Sequence, residues 1–205
     1  MAKGRLIIVS APSGAGKTSL VAALIADDDG ICVSVSHTTR PKRPKEENGI
    51  NYHFTDEATF LEMLQDGDFL ESAEVYGHRY GTSQKWVNEQ LEKGLDVVLE
   101  IDWQGAAQVR NLYPESCYIF ILPPSLETLT ERLRQRAQDD EEIIARRMQE
   151  ARTVLQHVCE ADYMVVNDDF DTALADIRAI VRSQGLTVSD QQINLAGLLT
   201  SLTRD

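Results

Sequence analysis

The segment that most limits the fold is an apolar run, Leu6-Ile7-Ile8-Val9. It leads through Ala11-Pro12-Ser13-Gly14-Ala15-Gly16-Lys17-Thr18 into a helix-patterned stretch, 19–25. Strand, glycine-containing loop, Gly-Lys-Thr and helix, in that order, are the context of a phosphate-binding loop. Small residues let successive backbone N–H groups curve round an anion, and the helix N-terminus adds partial positive charge. In such a loop Lys17 reaches the β- and γ-phosphates of a nucleoside triphosphate and the Thr18 hydroxyl ligates Mg²⁺. Ala11 stands where the pattern has Gly; alanine cannot take positive φ cheaply, so the loop is expected not to need it there.

Further short apolar runs at 31–36, 96–101, 118–122 and 163–166 alternate with helical patterns at 83–92, 126–134 and 172–181. That alternation predicts an α/β fold with a parallel sheet flanked by helices. Two segments break the rhythm. Residues 37–82 hold a basic loop, the run 52–55, an acid-capped helix at 56–65 and the run 69–76, which together read as a small α+β insertion. Residues 132–147 are densely charged, and the polar stretch 137–142 reads as an exposed loop in which Asp139 and Glu142 can cap the next helix. The core is therefore expected in 1–36, 83–131 and 148–205, with a short helix at 195–202 placed to meet a second subunit.

Charge narrows the partners. With 33 acidic against 20 basic residues the net charge is −13, the opposite of a nucleic-acid binder's balance. An acidic chain that binds phosphates must gather its cations locally. Three scattered cysteines, Cys32, Cys117 and Cys159, lack metal-ligand spacing and suit reduced thiols. The run 6–9 is too short for a signal sequence, and no stretch approaches a membrane span, so a cytoplasmic location without a membrane partner is expected.

Arg40 and Arg43, three apart in the basic loop, can clamp a dianionic phosphate with two planar guanidinium forks, and Tyr52 and Tyr80 can each add a hydroxyl. Asp102 follows the apolar run 97–99, where phosphate-loop enzymes carry a Mg²⁺-oriented carboxylate; Glu100, two residues earlier, points to the same face. Either a metal-linked or a solvating role fits these two. Asn167 and Asp168 follow the last strand, where Asp168 or Asp169 can also serve as a helix N-cap. The histidines, His37, His53, His78 and His157, show no catalytic or metal arrangement.

Several motifs in fixed order, the phosphate loop, Thr38-Thr39-Arg40-Pro41-Lys42-Arg43, Tyr52-His53-Phe54, Tyr80-Gly81-Thr82, 100–105, Arg136 with Arg147, and 166–169, resemble guanylate kinase over most of the chain. Thr55, Glu100 and Gln135-Arg136-Ala137 depart from the family's usual residues. The resemblance implies the P-loop NTPase-type core, a GMP-binding insertion at 37–82 and a lid at 132–147. It implies ATP and GMP as substrates and Mg²⁺ as cofactor, and leaves a homo-oligomer open. Ala11 to Thr18, Asn167 and Asp168 would meet ATP; Ser36, Arg40, Arg43, Tyr52, Glu71, Tyr80, Thr82 and Glu100 would meet GMP. Lys17, Arg40, Arg136 and Arg147 would be catalytic, and Thr18 and Asp102 would hold Mg²⁺ directly or through waters. A phosphate oxygen is already ionised at neutral pH, so direct in-line transfer needs no general base. Non-catalytic modules of this fold typically lack the lysine and arginines present here, and a kinase for a ribose phosphate would leave Glu71 and Thr82 without a purine.

Overall fold

β1 (Leu6–Ser10) is buried along its whole length and runs through the middle of a parallel sheet. A computed structural model of the chain describes residues 3–75, 77–135 and 141–204. β2 (Ile31–Val33), β7 (Asp96–Glu100), β8 (Cys117–Leu122) and β9 (Tyr163–Val166) complete that sheet in the order β2-β7-β1-β8-β9. Strands covered on both faces need no polar side, which is why they read as continuous apolar runs. One face packs Ile7, Val9, Val98, Ile119 and Ile121 on α1 (Lys17–Ala26) and α7 (Phe170–Gln184). The other packs Ile8, Leu99, Tyr118 and Phe120 on α3 (Gln84–Glu92) and α4 (Trp103–Leu112). Arg5 fastens the base of the sheet, bonding to Asp96 of β7 and to the Val181 carbonyl of α7.

The apolar run at 31–36 does not continue as one strand. β2 ends at Val33; Ser34 still donates to the Val98 carbonyl, but Ser36 already accepts from His53, so the chain has left the parallel sheet. It enters a second sheet of order β4-β3-β6-β5, made of β3 (His37–Thr38), β4 (His53–Phe54), β5 (Phe69–Val75) and β6 (His78–Ser83). Its helix, α2 (Glu57–Gln65), starts where Asp56 accepts from the Thr59 N–H. The insertion is too small for an aliphatic core and uses a ladder of rings instead. Phe60 stacks on Phe69 at 4.6 Å, His37 meets Phe69 edge-on at 5.7 Å, and His53 stacks on His37 at 4.7 Å.

α5 (Leu126–Gln135) and α6 (Glu141–Leu155) flank residues 136–140. Arg136 and Asp139, and with them the expected capping of the second helix, lie outside the described residues. After α7 come α8 (Val188–Asn194) and α9 (Ala196–Thr203), the latter close to the expected short helix. Among the described residues no helix is long and apolar enough to cross a membrane.

Burial, helped by the neighbouring His53, lowers the pKa of His37, and its Nδ1 has no hydrogen-bond partner among the described residues. The unfolded chain therefore takes up this proton first as pH falls below about 6.5, and stability is lost in that direction. His37→Phe should flatten the fall in melting temperature between pH 7.5 and 5.5; an unchanged fall would take His37 out of the ladder's energetics.

Candidate active site

The Ser10 hydroxyl donates to the Ile101 carbonyl at 2.8 Å, so the chain leaving β1 and the chain leaving β7 emerge side by side. The first becomes the phosphate loop. Its left-handed glycines are Gly14 (φ 94°) and Gly16 (φ 96°), and Ala11 lies outside that turn, as alanine requires. Gly16 is the N-cap of α1 and has no side chain to compete for the orphan N–H groups at the helix start. It also has no room for one: a Cβ there would lie 2.2 Å from the Asn167 amide nitrogen.

Asn167 is the brace of the loop. It is buried, its side-chain amide donates to the Ala15 carbonyl at 2.7 Å, and its own carbonyl accepts from Arg132 at 3.0 Å. The place beside a nucleotide base that the resemblance implies for Asn167 thus falls on a residue with a structural duty. Asp168 faces a second cavity, about 350 Å³, together with Gly14, Gly16, Ser19, Arg132, Gln135 and Phe170. The N-cap of α7 is Asp169, which accepts from Thr172. Arg132 is absent from the residues that sequence reasoning singled out. Its NH1 is buried without a partner among the described residues, at the edge of this cavity. A helical spacing of four from Arg136 was the available signal.

The main cavity, about 500 Å³, joins the phosphate loop to the insertion. Pro12, Ser13, Lys17 and Thr18 line one end; Ser36, Tyr52, Glu71 and Tyr80 line the other; Glu100, Asp102 and Trp103 lie between. The carboxylate beside Thr18 is Glu100, whose Oε2 accepts from the Thr18 hydroxyl at 2.8 Å. Asp102 was expected there, but β7 stops at Glu100 and Asp102 is the N-cap of α4. Its two oxygens accept from the Gly105 N–H at 2.9 Å and the Gln104 amide at 3.1 Å. A hydroxyl and a carboxylate suit a hard cation that takes oxygen ligands and keeps waters, as Mg²⁺ does.

Glu71 is buried on β5, where Thr82 donates to its Oε1 at 2.6 Å. Burial pushes its pKa up to about 7, with the Asp102 charge adding and the Thr82 bond opposing. The Thr82 hydroxyl therefore holds Glu71 and does not face the cavity as expected; Ser36, 3.5 Å from that hydroxyl, does face it. Arg40 also differs from a free clamp. Its guanidinium donates to both oxygens of Glu46, at 2.8 and 3.0 Å, and lies over the rings of Tyr52 and Phe54. The Arg43 N–H donates to the same Glu46, so one carboxylate organises the basic loop. Burial works to raise the Glu46 pKa, but the bonds from Arg40 and Arg43 outweigh it and hold it below the usual range. The side chains of Arg40 and Arg43 lie outside the cavity lining, Arg40 one ring away behind Tyr52. Arg147 sits on α6, the helix that supplies Glu150, Thr153 and Val154 to the cavity wall.

A parallel sheet with a phosphate loop at its C-terminal edge, joined by one cleft to a buried carboxylate, is the architecture of a phosphate-loop phosphotransferase. The family model for guanylate kinase matches residues 3–184. The guanylate kinase of Methylobacillus flagellatus is 57% identical over 200 residues, covering 98% of this chain and 99% of its own. That of Hahella chejuensis is 56% identical over 205 residues, with 98% and 99% covered. The crystal structure of guanylate kinase from Anaplasma phagocytophilum superposes with a TM-score of 0.78 at 32% identity, covering 91% of this chain and 89% of that one. The chain belongs to the guanylate kinase family, phosphotransferases that use ATP to phosphorylate GMP.

Gly105 of α4 lies against Glu71: a Cβ would come within 2.4 Å of Oε2. Alanine is favoured over glycine in a helix by about 1 kcal/mol, yet Gly105→Ala should gain no stability. In a Glu71→Ala background the gain should reappear as a rise in melting temperature of about 2–4 °C. The same rise in the parent would refute the contact.

Proposed function

We propose that this chain transfers the γ-phosphoryl group of ATP to the phosphate of GMP by direct in-line displacement. The observation that carries this reading is the single cleft joining the phosphate loop to the buried carboxyl of Glu71. Guanine presents two adjacent donors, its N1–H and its exocyclic amino group, which one carboxylate can accept together. Adenine has no N1–H, so AMP would leave the buried Glu71 without these two donors and with the Thr82 bond alone, the kind of mismatch that can reduce catalytic efficiency by on the order of 10⁴-fold.

The roles divide by position. The loop 11–16 cradles the donor phosphates with backbone N–H groups, Lys17 neutralises the transferring group, and Asp168 with Phe170 and Arg132 borders the donor nucleoside. Tyr52, Tyr80, Arg40 and Arg43 meet the acceptor phosphate, Arg40 exchanging part of its hold on Glu46 for the incoming dianion. Residues 37–82 then act as the acceptor subdomain and 132–147 as a lid that carries Arg136 and Arg147 and excludes water. Mg²⁺, when bound, would supply charge neutralisation between the β- and γ-phosphates. Thr18 would hold it with Glu100, Asp102 contributing at most through a water while it caps α4.

A coupled assay with ATP against GMP, AMP, CMP and UMP tests the reading; comparable rates with AMP would overturn it. Lys17→Met should keep the fold and lower turnover by roughly 10²-fold or more; near-parental turnover at saturating substrates would remove Lys17 from the reaction.

The Glu71 role has its own pH signature. Its carboxyl is protonated in the free protein below about pH 7, and pairing with two guanine donors requires the anion. The KM for GMP should therefore rise as pH falls, about fourfold between pH 8 and 6.5, on the tenfold-per-unit slope that follows below the pKa. Glu71→Gln should weaken GMP binding and lose this slope, and a variant that kept it would place the titration elsewhere.

A further inference from the structure

The closest ring pair in the described chain lies at the edge of the cleft. Trp103 and His157 stack with centroids 3.6 Å apart and planes 7° from parallel, whereas the other ring pairs stand at 4.6 to 5.9 Å. His157 is fixed from its far side, because its Nδ1 pairs with Glu160 Oε1 at 2.7 Å. Its backbone N–H donates to the Val154 carbonyl, so it forms the turn that closes the C-terminal end of α6. Trp103 is the first residue of α4, directly after the capping Asp102, and its side chain lines the main cavity. The stack thus joins the base of α6 to the start of α4, one turn of chain beyond Glu100 at the end of β7.

α6 is also held at its start, where Arg134 of α5 donates to both oxygens of Glu141 at 2.9 Å, and along its length, where Met148 packs on the core. Of its fifteen residues only Ile144 and Ala151 are buried, and Glu141, Glu142 and Ile143 at its start are exposed. A helix pinned near both ends changes its angle when either pin is lost, and the stack is the pin at the C-terminal end. Arg147 stands ten residues from His157, about 15 Å at 1.5 Å per residue. A tilt of about 10° at the joint would move Arg147 by roughly 2–3 Å, and displacements near 1 Å can cost about 10²-fold in rate.

We propose that the Trp103–His157 stack is the joint that sets the angle of α6, which makes His157 a positioning residue for Arg147 in phosphoryl transfer. The inference rests on the reading of Arg147 as a lid arginine. The joint acts on the transition state and not on substrate capture, because no residue assigned to hold GMP or ATP lies on α6.

The test compares His157→Leu, which removes the ring, with His157→Phe, which restores a flat ring, in the full chain with ATP, GMP and Mg²⁺. His157→Leu should lower kcat about tenfold or more with both KM values within twofold of the parent, and His157→Phe should recover turnover to within threefold. In an Arg147→Ala background, His157→Leu should add no further loss. Parental kcat in His157→Leu, equal losses in the two variants, or additive losses with Arg147→Ala would each overturn the joint. Parental turnover in Arg147→Ala would overturn the lid reading and the joint with it, whereas an impaired Arg147→Ala beside a parental His157→Leu overturns the joint alone. A ring that only packed the surface would lower melting temperature in both variants and leave kcat in place.

Discussion

β1 must satisfy two demands that pull apart. As a strand covered on both faces it has to be apolar and fully paired, while the loop it feeds must leave its N–H groups unpaired and aimed at an anion. The change from one regime to the other takes place at Ser10. Its buried hydroxyl bonds across to Ile101 and ties the exits of β1 and β7 together. From that tie follow the pairing of Thr18 with Glu100, the placement of Asp102 at the head of α4, and the approach of Gly105 to Glu71. The cleft is therefore assembled from backbone exits of one sheet and from the packing of α4 on β5 of the second, where Gly105 meets Glu71 and Gln108 bonds Ser72.

Two glutamates show how an acidic protein handles anions. Glu71 is sunk into the wall with only Thr82 donating to it, so its charged form is held at a disadvantage until donors arrive. Glu46 is treated in the opposite way: Arg40 and the Arg43 N–H surround it, and its charge is stabilised. Largely buried ion pairs of the Arg40–Glu46 kind contribute little net stability. Their value here is geometric, because the pair holds the guanidinium oriented against Tyr52 and Phe54. Preorganisation of that sort removes an ordering cost from binding.

The parallel sheet and the phosphate loop were legible because both depend on patterns along the chain: continuous apolar runs for doubly covered strands, and small residues before Gly-Lys-Thr. The cavity residues Ser36, Tyr52, Glu71 and Tyr80 were legible through family resemblance, their residue types alone being commonplace. What escaped depends on direction and contact. Alternation puts Glu100 and Asp102 on one face but cannot say that the strand stops between them and turns Asp102 into a cap. Nothing local tells that Thr82 donates inward to Glu71, that Glu46 occupies Arg40, or that Arg132 ends against Asn167. Thr82 and Glu71 lie on different strands and Arg132 and Asn167 on different elements, while Glu46, in the same loop as Arg40, has nothing in the sequence to set it apart from the neighbouring acids. The end of β2 at Val33 was hidden for a related reason, since 34–36 keep an apolar-polar pattern while the chain crosses between sheets.

The brace between Asn167 and the Ala15 carbonyl spans 152 positions, and the strand before it, β9, is the outermost of the sheet. On the ribosome the N-terminal segment appears first, yet β1 acquires its neighbours only when β7 and β8 have been made. The phosphate loop gains its last support later still, after 167 residues have left the exit tunnel. A nascent chain of this protein thus carries its most recognisable motif long before it can set that motif in its final geometry. The consequence is a built-in order of events in which the loop is braced only once the sheet is closed.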